Sequence, residues 1–128
     1  MEALLQAALS ARQNAHAPYS NFAVGAALED ESGRIHTGCN VENATYGLTI
    51  CAERVAVFKA ISEGARKFRR IAVAADTELP TPPCGACRQI LWEFCGNIEV
   101  ILVNPAGRSQ IFRMSELLPR PFDDSFIR

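Results

Sequence analysis

The segment TICAERVAVFKAISEG, from Thr49 to Gly64, decides how this chain folds. Val55, Phe58 and Ile61 recur at the spacing of one helical face, so the segment predicts a helix that packs against a core. Gly64 follows these positions, which is typical of a helix C-terminal cap. The start of this helix also contains a cysteine and a glutamate two positions apart, a spacing that bears on function as well as on fold.

The elements on either side of this helix predict a layered α/β fold. Before it, residues 2–14 show helical periodicity, and the runs FAVGAALED and GRIHTGCNV predict two strands joined by a turn at residues 30–33. After it, the chain shows a buried strand (RIAVAAD), a proline-rich loop (TELPTPP), a helix over residues 84–94 with Cys87, Ile90, Leu91 and Phe94 on one face, a second buried strand (IEVILVN) and a short helix over residues 114–118. Strands joined through helices indicate parallel pairing and a covered sheet. We therefore expect a single domain, residues 1–128, built as a three-layer α/β sandwich with a mixed sheet.

Composition excludes several classes of protein. The chain is 48% hydrophobic and 21% charged with a net charge of −1, which predicts a folded domain with a real core. Its local basic excess, at residues 66–70, is too narrow for a nucleic-acid-binding face. The sequence suggests neither an export signal nor a membrane span, and five cysteines is an odd number, so reduced thiols or a metal site in a cytosolic protein are favoured over disulfides.

Three of the cysteines have the spacing of metal ligands. Cys51 opens the central helix, and Cys84 and Cys87 form a C-x-x-C pair at the start of the next one. Thiolates favour zinc, and a C-x-x-C at a helix start directs two sulfurs to one ion. The sequence therefore predicts a zinc site with three cysteine ligands. Three protein ligands leave one coordination position open, which is typical of catalytic rather than structural zinc.

The sequence leaves the fourth zinc ligand open between two candidates. Cys95 is out of reach, since eight helical residues separate it from Cys87 by about 12 Å. Cys39 and His36 lie on a predicted strand and stay open as candidates. Glu53 is disfavoured because helix positions two apart do not face the same way. A glutamate beside a catalytic metal is instead suited to carry protons.

The charge of such a site demands nearby positive potential. Three thiolates on Zn²⁺ carry a net charge of −1, which weakens the ion as a Lewis acid. Two helix N-termini directed at the cluster would offset part of that charge. Arg54 and Arg88, each directly after a cysteine motif, are candidates to donate hydrogen bonds to the sulfurs, with an exposed surface position as the alternative for Arg88.

These motifs resemble the cytidine deaminase family, in its short, homotetrameric form. The similar stretches are PYSNFAVGAAL, GCNVENATYGLTICAER, PCGACRQIL and ELLP, which together run through most of the chain. The second stretch is the most specific, because it contains both a ribose-binding and a catalytic signature. The resemblance implies a mixed sheet of about five strands and one zinc ion per subunit, with Glu53 as the proton carrier of a hydrolytic deamination.

The resemblance also implies substrate contacts. Asn40 and Glu42 would bind the ribose hydroxyls, Phe22 would stack on the pyrimidine, and Ala52 would offer its backbone to the base. Ala44, Tyr46 and Phe122 are similar to positions that reach a neighbouring subunit's pocket, with Phe126 a second candidate for the last of these. The tail, LLPRPFDDSFIR, departs from the small residues that are usual before that phenylalanine.

The expected activity is deamination of cytidine and 2′-deoxycytidine to the uridine nucleosides, in pyrimidine salvage. Three alternatives stay open on the sequence alone. One is a deaminase of a modified cytosine nucleoside, of the blasticidin type. Another is a polynucleotide editor, but the chain has neither a basic run that would line a groove nor a series of aromatic residues for stacking bases. The non-enzyme alternative is an interaction domain whose zinc is closed by Cys39 or His36.

Overall fold

The computed structural model describes residues 1–128. In chain order the elements are α1 (Glu2–Arg12), β1 (Val24–Asp30), β2 (Ile35–Cys39), α2 (Ala52–Ser62), β3 (Phe68–Ala75), α3 (Gly85–Cys95), β4 (Glu99–Val103), β5 (Ser109–Arg113) and α4 (Met114–Leu117). Every helix and strand located from the sequence is confirmed, with ends that shift by at most three residues. No helix combines the length and the apolar character that crossing a membrane requires.

The five strands form one mixed sheet in the order β2-β1-β3-β4-β5. Strands β3 and β4 pair in parallel, and the other neighbours pair antiparallel. Helix α1 covers one face of the sheet, while α2 and α3 cover the other. The predicted three-layer sandwich is therefore confirmed.

Strand β5 is the element that periodicity did not locate. It spans Ser109–Arg113 and pairs with β4 along the edge of the sheet. Four of its five residues are exposed, so its sequence lacks the apolar alternation of a half-buried strand. The strand is identified by its antiparallel hydrogen bonds to β4 and not by its sequence pattern.

Two glycines let helices approach the sheet closely from both sides. A Cβ at Gly38 on β2 would lie 2.5 Å from the carbonyl oxygen of Ala52, and one at Gly25 on β1 would lie 2.1 Å from that of Ala8. Real Cβ atoms do not approach backbone this closely, so both positions require glycine. The approach at Gly38 presses the first turn of α2 onto the sheet, which sets the position of the cysteine and glutamate there.

The face of α2 that packs on the sheet differs from the predicted one. Its buried apolar residues are Ala52, Ala56, Val57 and Ala60. Phe58, which the sequence placed in the core, is 43% exposed, whereas Ile61 is half-buried against the core. The reason is the close approach at Gly38, since only small side chains fit between α2 and β2.

The prediction for the core face of α3 is wrong at Phe94. Cys87 and Leu91 are fully buried, but Phe94 is 41% exposed. Its ring meets that of Phe58 edge to face, with centroids 6.2 Å apart. The two phenylalanines thus form an aromatic pair on the outer surface of the helical layer.

Candidate active site

Three sulfur atoms converge where α2 and α3 begin. Cys51 occupies the N-cap position of α2, Cys84 occupies the N-cap position of α3, and Cys87 lies in the first turn of α3. The sulfurs of Cys51 and Cys84 are 4.0 Å apart, and all three lie within 4.8 Å of one another. Tetrahedral zinc thiolates space their sulfurs by about 3.8 Å, so this donor set fits a zinc ion.

The surroundings of the Cys51 sulfur favour its thiolate form, whereas the hydrogen bond with Cys51 and burial raise the pKa of the Cys87 thiol. Both helices direct their N-termini at the cluster, where the unpaired backbone N–H groups carry partial positive charge. The Nη2 atom of Arg54 donates to the Cys51 sulfur at 3.4 Å. The pKa of the Cys51 thiol is lowered to about 5, first by a hydrogen bond with Cys87 and then by Arg54.

Arg88 does not behave as the sequence suggested. Its Nε donates to the carbonyl of Pro83 at 2.8 Å, and its Nη1 donates to the carbonyl of Leu117 at 2.7 Å. The prediction of a hydrogen bond from Arg88 to a sulfur is therefore wrong. The guanidinium instead ties the residue before Cys84 to the end of α4, which holds the start of α3 in place.

No further ligand joins the three sulfurs. His36 is buried on β2, where its Nε2 lies 2.9 Å from Asp30 and its Nδ1 lies 3.1 Å from Glu63. Cys39 and Cys95 also lie outside the cluster. The two candidates that the sequence left open for a fourth ligand are thus not placed to close the site.

Glu53 lies beside the cluster without being one of its members. Its side chain is in the first turn of α2, only 5% exposed, and it lines the same cavity as Cys51 and Cys84. Burial raises the pKa of the Glu53 carboxyl to about 7, and the negative charge of Cys51 adds to the effect. A carboxyl that titrates near neutral pH can both accept and donate a proton.

The cavity between these groups has a volume of about 290 Å³. Four of the predicted substrate-binding residues line it, namely Phe22, Asn40, Glu42 and Ala52. Asn40 and Glu42 are nearly buried, with exposed fractions of 7% and 9%. The volume is that of a small-molecule site and the walls are mostly apolar with a few polar groups.

The comparisons with known proteins agree with this site. Residues 1–103 match the family model described as "Cytidine and deoxycytidylate deaminase zinc-binding region". The chain belongs to the cytidine deaminase family. It is 50% identical to a cytidine deaminase of Sporosarcina psychrophila over 123 residues, which cover 95% of this chain and 90% of that protein. A probable cytidine deaminase of Dictyostelium discoideum is 49% identical over 95% of this chain and 83% of its own length.

A solved cytidine deaminase has the same fold. The crystal structure from Burkholderia pseudomallei superposes with a TM-score of 0.92 at 49% identity, covering 94% of this chain and 98% of that one. The residues matched to the zinc-binding region include all three clustered cysteines and Glu53. The family's metal thus has a fitting donor set in this member, and the predicted zinc cofactor is confirmed.

Several cavity-lining residues of this family member were missed by sequence reasoning. They are Ser20, Val24, Thr49, Val73, Thr81 and Pro82. Thr81 and Pro82 come from the proline-rich TELPTPP segment, which the sequence predicted only as a loop. Ser20 lies in the PYSNFAVGAAL stretch, but a lone serine before a strand carries no chemical signal of its own.

The residues predicted to reach a neighbouring subunit lie outside the cavity of their own chain. Ala44 and Tyr46 are exposed in the segment before α2. The ring of Tyr46 packs edge to face on that of Tyr19, with ring centroids 5.5 Å apart. Phe122 is 58% exposed and stacks on Phe126, with ring centroids 5.7 Å apart. Their role toward a second subunit stays a prediction.

A larger cleft, of about 610 Å³, lies at the other end of the β1–β2 hairpin. Its lining is almost entirely polar and charged, with Asp30, Arg34 and Lys67 among the residues. It contains no cluster of potential metal ligands. The smaller cavity is therefore the one with the chemistry of the family.

Proposed function

We propose that the chain catalyses the zinc-dependent hydrolytic deamination of cytidine and 2′-deoxycytidine, which yields uridine and 2′-deoxyuridine with release of ammonia. The observation that carries the proposal is the buried carboxylate of Glu53, which lines one small cavity together with two of the three clustered cysteines. Membership in the cytidine deaminase family supports the same reaction.

Cys51, Cys84 and Cys87 are the residues that would hold the metal. Bound zinc supplies Lewis acidity, which activates water as a nucleophile near neutral pH. Arg54 and the two helix N-termini offset the charge of the three thiolates, so the donor set does not quench that acidity.

Glu53 is proposed to carry every proton of the reaction. It accepts a proton from the attacking water and delivers it to N3 of cytosine, which makes C4 electrophilic. The water oxygen bonds to C4, and Glu53 then takes the remaining proton from the resulting hydroxyl and passes it to the departing amino group. The C4–N bond breaks, ammonia leaves and the C4 carbonyl remains. Burial that brings its pKa to about 7 suits both directions of transfer.

The walls of the cavity are proposed to hold the nucleoside. Phe22 presents a ring for stacking on the base, and the backbone of Ala52 lies beside Glu53 in the first turn of α2. Asn40 and Glu42 face the same space and offer amide and carboxylate groups to ribose hydroxyls. The side-chain amide of Asn40 also makes two hydrogen bonds to the backbone next to Phe22. Its oxygen accepts from the N–H of Val24 at 2.9 Å, and its nitrogen donates to the carbonyl of Phe22 at 2.8 Å.

The charge of the cavity favours a nucleoside over a phosphorylated substrate. No lysine, arginine or histidine lines it, and its charged walls, Glu42 and Glu53, are acidic. A phosphate would meet repulsion with no compensating cation. This argues against a nucleotide and against a polynucleotide strand, whose backbone requires a positively charged groove.

Ultraviolet spectroscopy tests the proposed function directly. We expect the purified protein to convert cytidine and 2′-deoxycytidine, seen as the loss of cytosine absorbance and as released ammonia. Cytidine 5′-monophosphate, single-stranded DNA and RNA, and blasticidin-type nucleosides form the comparison panel, on which we expect little or no turnover. Turnover restricted to a modified nucleoside or to single strands would replace the proposal by that alternative. Zinc without turnover on any member of the panel would favour the interaction-domain alternative.

We also propose a homotetramer with shared active sites. Exposed aromatic residues support it, since Tyr46 is 71% exposed, Phe122 is 58% exposed, and the pair formed by Phe58 and Phe94 lies on the outer surface. We expect these rings to be buried at subunit interfaces in the assembly. Ala44, Tyr46 and Phe122 should then lie near the cavity of a neighbouring subunit. Phe126 stacks on Phe122 and would move with it.

Analytical ultracentrifugation of the active protein measures this assembly. The expected sedimenting mass is about four chains of 14.0 kDa each. A fully active species with the mass of a single chain would contradict both the tetramer and the shared site.

The cellular setting follows from the thiols. All five cysteines are free, and the three that form the cluster must stay reduced to bind metal. We therefore propose that the chain acts as a single catalytic domain in the cytoplasm, where it returns cytosine nucleosides to the uridine pool in pyrimidine salvage.

A further inference from the structure

Glu42 is a nearly buried carboxylate that makes no hydrogen bond or salt bridge to a lysine, arginine or histidine side chain. Its Oε1 accepts hydrogen bonds from the backbone N–H groups of Tyr19 at 3.0 Å and Ser20 at 3.1 Å. Its Oε2 accepts from the hydroxyl of Ser20. Ser20 therefore makes contacts with both oxygens, one through its backbone and one through its side chain.

The same hydroxyl also holds the neighbouring aromatic residue. The Oγ of Ser20 accepts a hydrogen bond from the backbone N–H of Phe22 at 3.1 Å. Between them, Asn21 adopts a left-handed conformation with φ of 56°, which few non-glycine residues do. The hydroxyl spans this strained residue and joins the carboxylate of Glu42 to the backbone of Phe22.

We propose that Ser20 is a positioning residue that couples ribose recognition at Glu42 to base stacking at Phe22. The inference rests on the proposed function, in which Glu42 meets the ribose and Phe22 meets the pyrimidine. One hydroxyl donates to the first and accepts from the second, so both groups are held in one geometry before the substrate arrives. Ser20 itself lies at the wall of the cavity, far in sequence from Glu53 and the cysteines.

Steady-state kinetics of Ser20→Ala test this role. We expect the KM for cytidine to rise about tenfold, because the loss of one hydrogen bond to a charged group changes a binding constant by about that factor. We expect kcat to stay within about twofold of the wild-type value. Ser20→Thr retains the hydroxyl, so its KM for cytidine should stay close to the wild-type value. Ser10→Ala, the same change at an exposed position of α1, is the matched control and should leave both constants unchanged.

A second substrate shows whether the effect passes through the ribose. For 2′,3′-dideoxycytidine, which offers Glu42 no ribose hydroxyl on the ring edge, Ser20→Ala should raise KM much less than it does for cytidine. Equal increases for the two substrates would overturn the coupling to Glu42. An unchanged KM for cytidine, or a Thr variant as impaired as the Ala variant, would overturn the role of the hydroxyl.

An NMR titration of Glu42 gives a readout that does not depend on turnover. Its carboxyl pKa is held below the ordinary value, first by the hydroxyl of Ser20, then by the backbone N–H groups of Ser20 and Tyr19 and by the charge of His16. Ser20→Ala should raise that pKa, and Ser20→Thr should not. An unshifted pKa would overturn the inference even in an active enzyme. Failure of the wild-type protein to turn over cytidine would instead count against the proposed function and leave the titration interpretable.

Discussion

Replacement of Glu53 by glutamine is expected to abolish most turnover while the protein keeps its metal. Glutamine has nearly the same shape but cannot accept or release a proton, so every transfer assigned to this residue stops. Positioned acid–base groups contribute about 10²–10⁴-fold to rate, and we expect kcat to fall by a factor in that range. Zinc content should stay at one ion per chain, because the three sulfurs are untouched.

The matched control is Glu93→Gln, the same change at an exposed position on α3. It should leave kcat, KM and zinc content at wild-type values. Stopped assays of cytidine turnover, together with metal analysis of the same samples, measure all three. Near-normal turnover by Glu53→Gln would show that another group carries the protons, and the proposed mechanism would then be wrong.

The cluster of three sulfurs beside Glu53 could be predicted because the information for it is local. Cys51 and Glu53 open one helix, and the C-x-x-C pair opens another, so each motif carries its own placement at a helix N-terminus. The sheet then brings the two helix starts together, although Cys51 and Cys84 are 33 positions apart in the chain. The spacing of the cysteines within each motif predicted the three candidate ligands, and the order of helices and strands in the fold brings their sulfurs together.

The face of α2 could not be predicted because hydrophobicity does not reveal interlayer distance. Phe58 is a stronger apolar signal than Ala56, yet Ala56 is fully buried and Phe58 is exposed. The deciding residue is Gly38, on a different element, where any Cβ would lie 2.5 Å from the backbone nitrogen of Ala56. A pattern within the helix carries no information about that contact.

Long-range polar partners were beyond the sequence for the same reason. Arg88 adjoins a cysteine motif but donates to the carbonyl of Leu117, which lies 29 positions away. Ser20 reaches Glu42 across 22 positions. Neither pairing leaves a periodic or compositional trace, so the structure was needed to find both.

Replacement of Cys87 by alanine is the second change for which we expect a large effect. Its side chain is fully buried in the first turn of α3, so water is poorly placed to substitute for the missing sulfur. We expect zinc content to fall far below one ion per chain and turnover to fall by about 10³-fold, since the Lewis acidity of such a metal is worth several kcal/mol. Metal analysis and cytidine turnover on the same preparation measure both effects.

Cys95→Ala supplies a control on the same helix with the same chemical change. Cys95 lies at the far end of α3 and outside the sulfur cluster, and burial raises its thiol pKa to about 12, which makes it a packing residue rather than a ligand. Its variant should keep zinc and turnover, with at most a small fall in thermal stability. If the two alanine variants lost zinc equally, general destabilisation of α3 would explain the loss. If Cys87→Ala kept both zinc and activity, two sulfurs would suffice, and the proposed assignment of three cysteine ligands would be wrong.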